Sequence, residues 1–185
     1  MIYWILAGLL MVLSFFMDKG FSSLVFSLRN SVLDLIFKYF YLLLKDYVLL
    51  IVNVILLCFR DKRKIINAVI GFLSTGVIIT ILKYFIGRMR PFEVIENAKI
   101  EMFDYNFASF NSSFPSWHTG AVFSLLPFAF YINRKFGYFW ILIGVLEGVT
   151  RVYTGYHYLS DVLFGGLIGY LIGLLFFNWK SLNLR

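Results

Sequence analysis

The chain has two histidines, and each stands where a polar stretch meets a membrane-type apolar run: His118 in "FPSWHTG" and His157 in "TRVYTGYHYLSD". Imidazole moves protons near neutral pH and, when oriented, attacks electrophiles. Asp161 follows His157 by four residues, so on a helix the two share a face. Its carboxylate can then accept a hydrogen bond from Nδ1–H of His157, leaving Nε2 as an oriented nucleophile or base. Taken alone, such a pair could equally cap a helix near water. His118 adds a second proton-transfer group suited to general acid–base work.

Cations gather around the same stretches. Lys83, Arg88 and Arg90 sit in "KYFIGRMRPF", where Pro91 closes the run, and Arg151 ends a later one. Arg88 alone reads as a helix-end cation that snorkels to water or lipid phosphate. Lys83, Arg90 and Arg151 together repel one another unless an anion lies between them, and a tetrahedral oxyanion such as phosphate suits guanidinium groups. Ser116 and the amides of Trp117 and His118, at a helix N-terminus, also favour an anion. The combination describes in-line phosphoryl transfer: cations hold phosphate, His157 attacks phosphorus, and His118 protonates the departing oxygen and then activates water. No HExxH or CxxC spacing occurs, so a metal-free, cofactor-free mechanism is the simpler inference.

These stretches resemble the three motifs of the type 2 phosphatidic acid phosphatase family, which shares its superfamily with vanadium haloperoxidases and bacterial acid phosphatases. Lys83, Arg90 and Pro91 match the first motif, Ser116 and His118 the second, and Arg151, His157 and Asp161 the third. The resemblance implies that His157 forms a phosphohistidine, that His118 is the general acid, and that Lys83, Arg90 and Arg151 bind phosphate. Two positions depart from the family pattern: Trp117 replaces a glycine and Thr150 a serine. The glycine can reach positive φ and Trp rarely does, so the phosphate cradle must form without that freedom. Trp117 could line a lipid channel or act as an ordinary interfacial tryptophan.

Chemistry of this kind needs a scaffold that brings residues 83–91, 115–118 and 150–161 to one place. The 185 residues are 61% hydrophobic and 15% charged, with mean hydropathy +0.82. Soluble domains carry about a quarter charged residues, so this is an integral membrane protein, short enough for a single domain over residues 1–185. Six apolar runs stand out: Ile2–Met17, Tyr47–Phe59, Ile65–Ile86, Thr119–Ile132, Gly137–Thr150 and Val162–Phe177. The first lacks a basic n-region and a small-x-small cleavage site and reads as a retained helix. Between the first two runs, Ser27, Asn30, Ser31, Asp34, Lys38 and Lys45 recur at helical spacing, which predicts an amphipathic interfacial helix at about 20–45. The expected fold is therefore all-α, a polytopic bundle of six transmembrane helices plus that interfacial helix.

The formal charge of +7 is split into short clusters, which set topology rather than bind nucleic acid. Arg60 and Lys62–Lys64, Arg134 and Lys135, and Lys180 and Arg185 fall on one face with the N-terminus, cytoplasmic by the positive-inside rule. Trp4, Trp140 and Trp179 would belt that side. The histidines then lie on the outer face of a bacterial inner membrane, at headgroup depth, within reach of a phosphorylated lipid. Glu147, one turn before Arg151, is expected to pair with it. Glu93, Glu96, Glu101 and Asp104 read as a solvated loop, and Cys58 as a small buried hydrophobe.

The primary expectation is a lipid phosphatase acting on lipid A 1-phosphate, undecaprenyl diphosphate or phosphatidylglycerophosphate. A short loop between Phe92 and Phe114 leaves the site open to a bulky lipid. The alternative is a protein that binds or transports a phospholipid without cleaving it. That reading explains the cations but not the histidines and Asp161. A haloperoxidase-like use of the pocket has no support in the residues, and the membrane setting argues against it.

Overall fold

The computed structural model describes residues 2–105 and 112–179, with the side chains of residues 2–7 and of Leu10 excepted. Lys180, Arg185 and the side chain of Trp4 therefore lie outside the described residues. The regular secondary structure among the described residues is all helical: α1 (Ile2–Ser27), α2 (Ser31–Leu43), α3 (Asp46–Arg60), α4 (Arg63–Ile86), α5 (Pro91–Val94), α6 (Trp117–Ser124), α7 (Leu126–Ile132), α8 (Arg134–Tyr153) and α9 (Leu159–Asn178). Each apolar run falls on one rod, with α6 and α7 together making the fourth. They part at Leu125, where Pro127 cannot donate to the preceding turn. By length and apolarity alone, Arg63–Val94 and Leu159–Asn178 suffice to cross a membrane, and the bent pair α1–α2 makes up to three.

The interfacial helix is shorter than expected. Residues up to Ser27 continue α1, and the chain then turns by 117° into α2 at Ser31. Asn30 caps α2 by accepting from the Leu33 amide at 3.0 Å, which explains why the new helix starts there. α2 lies over the loop after α8: Phe37 stacks on Tyr153 at 3.9 Å and Tyr41 on Tyr156 at 5.9 Å.

The bundle's tightest seam joins α6 to α9. A Cβ on Gly165, Gly169 or Gly173 would collide with the carbonyl oxygens of Ser116, Gly120 and Ser124 respectively. Both helices thus carry small residues at every fourth position, and their backbones touch along two turns. Lipid tails give helices no hydrophobic reason to associate, so close backbone approach supplies the attraction. The seam sets the start of α6, with His118, beside the start of α9, with Asp161.

Two side chains sit differently from the sequence expectation. Trp140 is 2% exposed and donates its indole N–H to the Val122 carbonyl at 2.9 Å, near the α6–α7 break. A buried acceptor there outcompetes the membrane interface for this tryptophan, whereas Trp179 is exposed as a belt residue would be. Cys58 is exposed rather than buried, because it lies on the outward face of α3, where an apolar thiol can face lipid tails. At the end opposite the histidines, Lys64 caps α9 by donating to the Phe177 carbonyl at 2.7 Å.

Candidate active site

The end of α4, the starts of α6 and α9 and the turn after α8 meet at one end of the bundle, under α2. They enclose a cavity of about 400 Å³ lined by Lys83, Arg90, Trp117, His118, Arg151 and His157, together with Tyr41, Thr80, Asp104 and Tyr156. Six of the eight candidate residues therefore share one cavity wall. Asp161 stands behind it, and Ser116 is turned away. The Ser116 hydroxyl is fully buried and caps α6, accepting from the Thr119 amide and lying 3.1 Å from the Thr119 hydroxyl. What remains for an anion at this point is the first-turn amides of α6, which helix geometry leaves without intrahelical acceptors.

His157 sits in the turn between α8 and α9, 2% exposed. Its Nδ1 lies 2.7 Å from the Ser113 carbonyl oxygen and 3.6 Å from Asp161 Oδ2. A carbonyl can only accept, so Nδ1 carries the proton and the Nε2 lone pair is free. The expected His–Asp hydrogen bond is thus replaced by a His–carbonyl bond, with the carboxylate one shell further out. The reason lies in what Asp161 already holds: it accepts from the Tyr158 amide at 2.7 Å and pairs with Arg88 at 2.7 Å. Burial first, and then the charges of Arg90, Lys83 and Arg151, hold the His157 imidazole well below the ordinary histidine range. It is a neutral, oriented base.

Ser113 itself is fixed. Its amide donates to the Arg88 carbonyl at 2.8 Å and its hydroxyl to the Met89 carbonyl at 3.2 Å. Lys83 donates to the carbonyls of Ser112 and Ser113, so α4 clamps the segment that orients His157.

Arg88 is far from a free snorkelling cation. It joins Asp161 to Asp18 of α1, at 2.7 Å on each side, and donates to the Ser160 hydroxyl at 2.7 Å. Asp18, 1% exposed, also accepts from the Ser160 amide at 2.9 Å and from its hydroxyl. A buried carboxylate in an apolar helix is costly unless paired, and this network pairs two of them through one guanidinium. It also ties α1 to the start of α9.

Arg151 is 2% exposed and pairs through Nε with Glu147 at 2.5 Å, as expected from the four-residue spacing. The ring of Tyr41 lies 4.7 Å from the guanidinium carbon. One terminal nitrogen of Arg151 is buried without a hydrogen-bond partner. An orphaned donor in a cation-lined cavity is what an absent oxyanion would satisfy. Arg90 is anchored by donating to the Tyr156 carbonyl at 2.9 Å, and Glu93 accepts from its amide at 2.6 Å. Glu93, Glu96, Glu101 and Asp104 are exposed as expected, although Asp104 also reaches the cavity rim.

His118, on the first turn of α6, faces Asp46 of α3, with Nε2 3.6 Å from Oδ2. Asp18, Tyr41 and Asp46 lie outside the motif stretches and were not expected at the site. The signal for the two acids was present: each is a carboxylate at the edge of an apolar run, a position that demands a partner.

Residues 64–185 match the PAP2 superfamily. An undecaprenyl-diphosphatase from Sulfolobus acidocaldarius is 32% identical over 192 aligned positions, covering 94% of this chain and 88% of the relative. A protein named bacitracin transport permease, from Bacillus licheniformis, is 29% identical over 122 residues, which are 66% of this chain but only 58% of that protein. In fold, the chain is similar to a crystal structure of a PAP2-type phosphatidylglycerolphosphate phosphatase from Bacillus subtilis, with TM-score 0.74, 22% identity and 98% of each chain covered. Half of this chain and more falls within the family match, and the matched span includes every candidate residue from Lys83 to Asp161: the chain belongs to the PAP2 superfamily.

Proposed function

We propose that this protein is a membrane lipid phosphatase of the bacterial inner membrane that removes phosphate from a phosphorylated lipid at the outer face. The observation that carries the proposal is the cavity itself: a neutral, oriented His157 stands among Lys83, Arg90 and Arg151, and Arg151 holds a donor with no partner. In the first step Nε2 of His157 bonds to phosphorus as the bond to the leaving oxygen breaks, and His118 gives that oxygen a proton. In the second, water bonds to phosphorus, the N–P bond breaks, and the water proton returns to His118. Cations on the equatorial oxygens stabilise the charge throughout. Asp161 stabilises the imidazolium side of the phosphohistidine through its position behind Nδ1.

Among the three lipids raised by the sequence, undecaprenyl diphosphate has the strongest support, because the relative covering 94% of this chain is an undecaprenyl-diphosphatase. Phosphate release from undecaprenyl diphosphate, phosphatidylglycerophosphate and lipid A by the purified protein tests the proposal, with turnover fastest on the first. A second reading, binding or transport without cleavage, is favoured by the transport permease name of one relative. Tight binding of the diphosphate lipid with no phosphate release would establish that reading instead.

A further inference from the structure

Building on the phosphatase reading, we infer that Asp46 is a positioning residue for His118: it is the counter-ion of the leaving-group acid. Three observations converge. Asp46 Oδ2 is 3.6 Å from His118 Nε2, and Asp46 Oδ1 is buried without a hydrogen-bond partner. His118 Nδ1 is likewise buried without a partner, so one ring nitrogen faces the carboxylate and the other is uncommitted. Finally, Trp117, the residue before His118, is seated by α4: its ring meets Phe72 edge-on at 5.2 Å, and a Cβ at Gly76 would stand 2.9 Å from it, which anchors the start of α6 that carries His118.

Charge balance gives this arrangement its purpose. A general acid must carry its proton at the moment of bond cleavage, yet His118 shares its cavity with Lys83, Arg90 and Arg151. Each of those cations opposes an imidazolium, and Glu147 is engaged by Arg151. Asp46, 3.6 Å from Nε2, is a carboxylate placed to offset them. A glycine at position 117 would leave the start of α6 without the anchor of the Trp117 ring. The Trp in place of the family glycine and the glycine at 76 that makes room for it therefore belong to one device. α3 thereby joins the catalytic scaffold, although none of the family motifs lies on it.

Asp46→Asn in the full chain tests the inference, with phosphate release measured on two esters differing in leaving group: p-nitrophenyl phosphate, which departs without a proton, and dodecyl phosphate, which needs one. The inference expects kcat on dodecyl phosphate to fall about tenfold or more, with little change on p-nitrophenyl phosphate and an unchanged KM on both. In the His118→Asn background, Asp46→Asn should cost less than about twofold, because its partner is already gone. Asp46→Glu should recover part of the dodecyl phosphate activity. Equal losses on both esters, additive losses in the double variant, or no loss on either would overturn the role of Asp46. If the unmodified protein releases phosphate from no substrate, the phosphatase reading fails instead.

Discussion

The two histidines face each other across one cavity but are held in contrasting ways. His157 is fixed by backbone: the Ser113 carbonyl accepts a hydrogen bond from its Nδ1–H at 2.7 Å, and Asp161 backs it at 3.6 Å while bound to Arg88 and the Tyr158 amide. His118 has a carboxylate at 3.6 Å, a free ring nitrogen and no carbonyl. The difference matches the two tasks proposed for them. A nucleophile needs one lone pair aimed along one line and gains from rigidity. A proton carrier must change charge during the cycle, so it gains from a nearby counter-ion and loses from a bond that fixes one tautomer.

The contrast is most sharply broken by removing one side of it. His157→Ala should lower turnover by about 10⁴-fold or more with the fold intact, because no other side chain in the cavity is an oriented nucleophile. Steady-state phosphate release with a thermal-stability control checks this; residual turnover near the normal rate would remove His157 from the mechanism. Next in size is the cation that carries the orphaned donor. Glu147→Gln keeps an acceptor for Arg151 Nε but removes the charge that pairs with it at 2.5 Å, and should cost about 10²-fold in kcat/KM. Normal kinetics in that variant would reduce the pair to a contact between helix turns.

Arg88→Gln separates the two halves of the buried network. It leaves Asp18 and Asp161 without their shared cation, and both thermal stability and kcat should fall, the latter about tenfold. Restoring stability but not activity with the added change Asp18→Asn would show that Arg88 acts on Asp161 rather than merely neutralising α1.

The protonation state of His157 gives a smaller but cleaner test. Its imidazole is held well below the usual range near 6.5, so at about pH 6 it should remain neutral with the proton on Nδ1. The sign for stability follows: below about pH 6.5 the unfolded chain binds a proton that the folded one refuses, so stability declines as pH falls through that range. Because the chain has two histidines, nitrogen NMR of the histidine-labelled protein, compared with a His118→Asn variant, assigns both rings. An imidazolium at His157 at about pH 6 would contradict the account.

Much of the scaffold is legible in the sequence, because the apolar runs and the polar stretches between them are long-range signals set by the bilayer. The interfacial helix is the instructive exception. Its periodic polar residues begin before Asn30, but Asn30 accepts the Leu33 amide and so divides the pattern into the end of α1 and the whole of α2. At the site, the motif residues converge as their spacing implies, and the Glu147–Arg151 pair follows directly from helix geometry. What the spacing cannot give is competition among acceptors. Asp161 looks like the partner of His157 until Arg88 and the Tyr158 amide are seen to occupy it, and only then does Ser113, 44 residues away in sequence, emerge as the acceptor. Asp18 and Asp46 illustrate the same limit, since their partners lie on helices far along the chain. The α6–α9 seam was not anticipated at all: that Gly165, Gly169 and Gly173 face the carbonyls of Ser116, Gly120 and Ser124 emerges only from the fold.

The most direct test of the central claim is to trap the intermediate. Radiolabelled undecaprenyl diphosphate mixed with a His118→Ala variant, quenched with alkali and mapped by mass spectrometry, should leave acid-labile phosphate on His157, since the phosphate-monoester leaving group departs with little need of a proton whereas hydrolysis loses the group that activates water. Phosphate on any other residue, or release of labelled phosphate with no covalent species at all, would contradict the assignment of His157 as nucleophile.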